Sequence, residues 1–251
     1  MFEEFKGKTA FITGGASGIG KAAARKLGEM KTRVFLADMN EETLGQTVSE
    51  LKDAGIEASG TKLDVSVCSE VEQAMKECAE YFGAPDIVVN YAGIYRENWF
   101  VEMTEDIWRK TIDTNLNGVF NCCHAAMKYM AERKSGSIIN MTSQAAFTGG
   151  SPQHTHYAAS KAGIVGLTTA LAKEAARYNV RVNCIAPGII RTPMTAKYTP
   201  EQVRDFLSKI PLGRFGEPEE VANIILFLAS DMSSYMTGQT LNATGGWLLH
   251  S

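Results

Sequence analysis

The sequence predicts an α/β chain whose doubly wound parallel sheet of about seven strands carries helices on both faces. Three observations support this. Short β-rich runs alternate with longer segments of helical period; the runs show little polar alternation, as strands buried on both faces do; and no repeat, low-complexity tract or linker interrupts the rhythm. With 251 residues, 45% apolar and 21% charged, the chain can bury the core of a single domain spanning 1–251.

The elements follow in order. "KTAFIT" reads as the first strand and precedes a helix from about Gly18 to Glu29; "RVFLAD" precedes one from about Glu41 to Ala54, and "GTKLDV" one from about Ser69 to Phe82. "PDIVVN", "SGSIINMTS", "RVNCIAPG" and "GQTLNAT" continue the series, separated by helical stretches near 104–133, 157–178 and 218–229. Residues 189–217, with Pro193, Pro200 and Pro211, break the pattern and read as an irregular, mobile segment covering a substrate.

Composition excludes several classes. A net charge of -3 without a basic run offers nucleic acid and anionic lipid no general attraction. "MFEEFKGK" lacks the apolar core of a signal peptide, and no run of about 18 apolar residues is present to span a bilayer, so a cytoplasmic protein is expected. Cys68, Cys78, Cys122, Cys123 and Cys184 show neither C-x-x-C nor metal-ligand spacing; reduced, mostly buried thiols and no metal are expected.

Ligands of such sheets bind where strands end. The first strand ends in "TGGASGIG", where Gly14, Gly18 and Gly20 allow a tight turn and let a diphosphate approach the helix-end N–H groups around Ser17, Gly18 and Ile19. Alone this is only a glycine-rich turn. The second strand, however, ends in "LAD", placing Asp38 24 residues beyond Gly14, where a carboxylate can accept hydrogen bonds from the two hydroxyls of an adenosine ribose. A carboxylate there repels a 2′-phosphate, and neither Met39 nor Gly15, Ala16 and Ser17 supplies a cation, so NAD(H) is expected over NADP(H). The competing role for Asp38 is to cap the helix starting near Glu41.

T-G-x-x-x-G-x-G at 13–20, "LDV" at 63–65, N-x-A-G at 90–93, Asn115 in "TNLNGVF", Ser143 in "NMTS", Y-x-x-x-K at 157–161 and P-G at 187–188 occur in one order. With these motifs the whole chain resembles the short-chain dehydrogenase/reductase family, which implies a single Rossmann-type NAD-binding catalytic domain. The resemblance also implies that Asp64 and Val65 flank the adenine and that Asn90, Ala92 and Gly93 line the nucleotide. Pro187 and Gly188 would border the nicotinamide, with Ile190 and Thr192 holding its carboxamide. Two positions depart from the family pattern: Tyr91, usually a second Asn, and Thr244, where an Asp is common before the paired glycines.

Tyr157 and Lys161 lie one helical turn apart, and a cation that close favours the phenolate form of a base. A secondary alcohol becomes a ketone when hydride leaves its carbon while a base takes the hydroxyl proton, a role that suits Tyr157. Ser143, at a strand end, can donate to the substrate oxygen. By resemblance Lys161 also holds the nicotinamide ribose, and Asn115, midway along a long helix, holds a water in the proton relay behind it. Ala145, Phe147 and Gln153 stand where the family contacts substrate, Gln153 being the preferred polar contact. His154 and His156 have no acid spaced to orient them, and Arg96 and Trp99 read equally as pocket wall or solvated loop.

The polar residues Gln153, His154 and Arg96 point first to a sugar, polyol or hydroxy acid as substrate. The alternative is a 3-oxoacyl-carrier-protein reductase, which the chain also resembles, with Arg133, Lys134 and Arg177 near where such enzymes carry basic residues for the carrier; such biosynthetic reduction usually draws on NADPH. A steroid or xenobiotic alcohol dehydrogenase is a third reading, and a non-catalytic nucleotide sensor or scaffold a fourth. Apolar residues in excess of one sheet face, in "GVFNCCHAAM" and "GIVGLTTALA", predict a homo-oligomer, a tetramer by resemblance.

Overall fold

The computed structural model describes residues 3–249. Seven parallel strands, β1 Thr9–Thr13, β2 Arg33–Asp38, β3 Ala58–Lys62, β4 Ile87–Asn90, β5 Gly136–Met141, β6 Val180–Pro187 and β7 Thr240–Ala243, form one sheet in the order β3-β2-β1-β4-β5-β6-β7. Strand order reverses between β1 and β4, the crevice where such sheets take ligands.

Alternate strand residues face opposite layers. Ala10, Ile12, Val34 and Leu36 pack under α1 (Gly18–Glu29), α2 (Glu41–Asp53) and α9 (Pro218–Ala229). Phe11, Phe35, Val88 and Ile138 pack under α3 (Cys68–Phe82), α5 (Gly118–Arg133) and α7 (Thr155–Ala175). Both faces are therefore buried, which explains why the strands carry so few polar residues.

Four departures from the expected pattern shape the site. The "LDV" motif lies beyond β3, because pairing with β2 ends at Asp38 opposite Lys62; Leu63 N–H still donates to the Asp38 carbonyl, and the chain then turns at Asp64. The stretch 104–133 is not one regular helix: α4 (Glu105–Ile112) and α5 are joined by a π-helical turn, Asp113–Asn117, which contains Asn115. A four-residue helix, α6 (Ala145–Thr148), follows Ser143. Residues 189–217 are not wholly irregular, since α8 (Pro200–Lys209) begins with a Thr199/Gln202 capping box and a proline in its first turn. That segment is tied off at its base, where Ile190 bridges Gly216 and Arg191 N–H donates to the Gly216 carbonyl at 2.8 Å.

Among the described residues no helix is long and apolar enough to cross a membrane, no group of His, Cys, Asp and Glu can hold a metal, and all five cysteines are free, Cys68 alone exposed.

Candidate active site

A cavity of about 380 Å³ runs along the carboxyl ends of the strands. Its nucleotide end is built by backbone. Gly14, at φ 67°, approaches the fourth-strand loop so closely that an added Cβ would lie 2.9 Å from the Ala92 nitrogen, and a Cβ at Gly20 would collide with the Gly14 carbonyl. Ser17, Gly18 and Ile19 line the cavity, whereas Gly20 does not and serves only this close packing. Asp38 and Met39 line the same end. Asp38 accepts from Ala16 N–H at 3.1 Å and from Asn40 N–H at 3.0 Å, while the cap of α2 is Asn40, which accepts from Thr43 N–H. Asp38 therefore braces the glycine loop and does not cap the helix.

Asp64 and Val65 also line the cavity, as sequence suggested, together with two residues sequence reasoning missed, Lys110 and Thr114. Lys110 Nζ lies 3.5 Å from Asp64. Burial pushes the Asp64 carboxyl up, but hydrogen bonds from the Ser66 hydroxyl and amide, with Lys110, outweigh it and hold the group below its ordinary value. The signal for Lys110 and Thr114 was their four-residue spacing on the helix leading to Asn115. Ala92 and Gly93 reach the cavity, but the Asn90 side chain does not; it is buried, donating to Asn140 at 2.8 Å in the core beneath.

At the other end Pro187, Gly188, Ile190 and Thr192 line the wall with Ser143, Tyr157 and Lys161. The Ser143 hydroxyl is hydrogen-bonded to the Tyr157 hydroxyl. Burial pushes the Tyr157 phenol up to about 12 against the opposing Ser143 bond. Lys161 Nζ donates to the Met141 carbonyl at 2.9 Å, sits 5.7 Å from the Tyr157 ring centre, and is brought down by burial to about 8.

Asn115 is fully buried and does not line the cavity. Its carboxamide accepts from Ile94 N–H and donates to the Ile94 carbonyl and to Ser160, clamping the β4 loop onto α7.

Ala145 and Gln153 are likewise not brought to the cavity. Ala145 is buried at the start of α6, and Gln153 adopts a left-handed φ of 73°, its carbonyl accepting from Asn98 N–H. Tyr95, which does not itself line the cavity, packs edge-on against the Tyr157 ring with centres 5.3 Å apart. Ser151 N–H donates to His154 Nδ1, so in the neutral ring Nε2 carries the hydrogen and donates to Tyr95 Oη at 2.5 Å, leaving the phenol to donate to Glu97 Oε1 at 3.0 Å. Glu97 thus supplies the acid that sequence spacing did not show, and burial lowers His154 from its ordinary value. His156 is buried away from this chain of bonds with neither ring nitrogen partnered. Arg96 and Trp99 are exposed.

The cavity fits a nicotinamide dinucleotide: a side-chain-free cradle with the Asp38 carboxylate at one end, and a Ser–Tyr–Lys cluster at the other. The family model for enoyl-(acyl carrier protein) reductase matches residues 14–248, and the chain belongs to the short-chain dehydrogenase/reductase family, oxidoreductases that use a nicotinamide cofactor on alcohols and ketones. It is 44% identical over 245 residues to the 3-oxoacyl-(acyl-carrier-protein) reductase FabG of Thermotoga maritima, covering 97% of this chain and 99% of that one. The FabG of Staphylococcus aureus strain N315 is 40% identical, covering 95% and 97%. Among solved structures, gox2181 superposes with a TM-score of 0.94 at 36% identity, covering 98% of this chain and 99% of that one. A variant of actinorhodin polyketide ketoreductase with NADPH gives 0.91 at 35%, covering 96% and 97%. These relatives favour the acyl-reductase reading over the sugar or polyol reading.

Proposed function

We propose that the protein is a cytoplasmic, NAD(H)-dependent 3-oxoacyl thioester reductase, interconverting 3-oxoacyl and 3-hydroxyacyl groups held on an acyl carrier. The observation that carries this reading is identity of 40–44% to 3-oxoacyl reductases across almost the entire chain. Five unpaired thiols fit a reducing compartment.

Gly14, Ser17 and Gly18 would cradle the diphosphate with Ile19 beside them, Asp38 would hold the adenosine ribose, Asp64 and Val65 the adenine, and Ile190 and Thr192 the nicotinamide. Bound there, the reduced nicotinamide supplies the hydride that the carbonyl carbon accepts. Tyr157 donates its phenolic proton to the carbonyl oxygen, and burial, by raising the phenol, keeps that proton in place. Ser143 donates a hydrogen bond to the same oxygen as charge develops. Lys161, near 8 and one turn from Tyr157, can return a proton to the phenolate.

NAD(H) is preferred because Asp38 faces the 2′ position, and the cations lining the cavity among the described residues are Lys161, at the far end, and Lys110, already paired with Asp64. For the carrier, Lys134 and Arg177 are exposed, whereas Arg133 is held by Asp86 and the carbonyls of Ala84 and Pro85. We further propose a tetramer: Trp108 and Phe120, on α4 and α5, are 37% and 51% exposed, and a monomeric mass in light scattering would refute it.

One observation favours a second reading. The Glu97–Tyr95–His154 chain puts polar groups beside Tyr157, which suits a hydroxylated substrate such as a sugar or polyol. Following NADH and NADPH oxidation at 340 nm with acetoacetyl-coenzyme A decides between them. Rapid reduction with NADH is expected; silence with this thioester, beside oxidation of a polyol, would establish the second reading, and an NADPH preference would remove Asp38 from its role.

A further inference from the structure

Tyr91 occupies a position where the family usually has Asn, and its ring packs on the core while its hydroxyl reaches further. Its ring lies under the glycine loop: a Cβ added to Gly14 or to Gly20 would be 3.0 Å from Tyr91 Cδ1. The phenol then reaches past the ring's packing to the cavity, where its oxygen is 3.2 Å from the place a Gly18 Cβ would take and accepts the backbone N–H of Ile19, in the first turn of α1. A phenol that accepts still has its own proton to donate. Among the described residues that O–H meets no acceptor.

The surroundings name the acceptor. The loop from Gly14 to Gly20 holds no cation, and the two lysines that line the cavity stand elsewhere, Lys110 at Asp64 and Lys161 at Tyr157. A diphosphate in this cradle would therefore be met by neutral donors, and the Tyr91 hydroxyl sits among them beside Thr192, whose Cγ2 is also 3.2 Å from the Gly18 position. We infer that Tyr91 is a diphosphate-binding residue: its O–H donates to a phosphate oxygen of the dinucleotide while its oxygen keeps the Ile19 N–H. The accepted bond polarises the phenol, so the residue extends the helix N-terminus by one hydroxyl.

Tyr91→Phe isolates the hydroxyl, because the ring that supports Gly14 and Gly20 is kept. Calorimetric titration of the purified protein with NADH and with ADP-ribose should show affinity about tenfold weaker than wild type, the loss of one hydrogen bond to a charged acceptor. Adenosine, which has no phosphate, should bind both proteins equally in a displacement titration. Unchanged affinity for ADP-ribose would overturn the inference, as would an equal loss for adenosine, which would mean a loosened loop rather than a missing bond. The inference rests on the dinucleotide site but not on the substrate: failure to reduce a 3-oxoacyl thioester leaves these titrations standing, whereas wild-type protein that does not bind ADP-ribose sinks both readings.

Discussion

The two ends of the cavity are built in opposite ways. Around Gly14, Gly18 and Asp38 the wall is backbone from consecutive strand-end loops, fixed by bonds such as Gly14 N–H to the Ala37 carbonyl at 2.8 Å and Ala16 N–H to Asp38. Around Tyr157 the site is held by side chains from segments far apart in sequence: Ser143 after β5 lines the cavity beside it, while Tyr95 and Glu97 after β4 and His154 before α7 support its ring without lining the cavity. The first arrangement tolerates no change of spacing, because it depends on absent side chains. The second keeps its geometry only while each partner is present, so it can be retuned residue by residue.

Four substitutions test this contrast, from the strongest effect to the weakest. Tyr157→Phe, where the two ends meet, should lower turnover by roughly 10²–10⁴-fold, while NADH affinity measured by fluorescence stays within about twofold. Residual turnover above about a hundredth of wild type would remove Tyr157 as the proton donor. Asp38→Ala alters the nucleotide end alone. It should raise kcat/KM for NADPH relative to NADH by about 10–100-fold through loss of like-charge repulsion, with KM for the thioester unmoved.

The third concerns stability. Lys161 is held near 8 against an ordinary 10.5, so between those values the unfolded chain binds a proton the folded chain has lost, and stability climbs as pH rises through that window. Tyr157, raised from 10.0 to about 12, opposes this only above pH 10. Relative to Lys161→Met, wild type should therefore gain about 2 kcal/mol between pH 8 and 10 in urea unfolding; parallel curves for the two proteins would contradict the burial of the ammonium. Smallest is Tyr95→Phe, which interrupts the Glu97–His154 chain and should raise the thioester KM about fivefold with cofactor affinity unchanged. A change in NADH binding would show that the two ends are not independent.

The same contrast explains what could be read from the amino acids. β2, α1 and α9 have the expected residues because their signals are local: an apolar run ending in Asp38, a glycine turn before Gly18, a proline opening the helix at 218. Gly14, Ser17, Gly18, Asp38, Asp64, Ser143, Tyr157 and Lys161 meet in one cavity as the motif order suggested. Nothing local reveals that Asn115 stands in a π-helical turn that hands its carboxamide to Ile94 and Ser160. Nor does anything local reveal that Gln153 and Ala145 lie off the cavity: which residues face Tyr157 depends on how the 94–98 loop folds against the 150–154 turn, a meeting over about 55 residues of chain that no periodicity records. Prolines in residues 189–217 concealed α8, although "TPEQ" carries the capping box that starts it.

The bridge between Ile190 and Gly216 gives the segment between them a distinct character. Its two ends meet at this bridge, so residues 191–215 form a closed excursion whose base is set by main-chain bonds and whose interior can vary at little cost in chain entropy. It behaves as a cassette. Exchanging residues 196–215 for the corresponding stretch of a related enzyme would keep Thr192 and leave the cradle and the Ser143–Tyr157–Lys161 cluster in register, and so offers a way to alter which molecules enter without rebuilding the chemistry beneath.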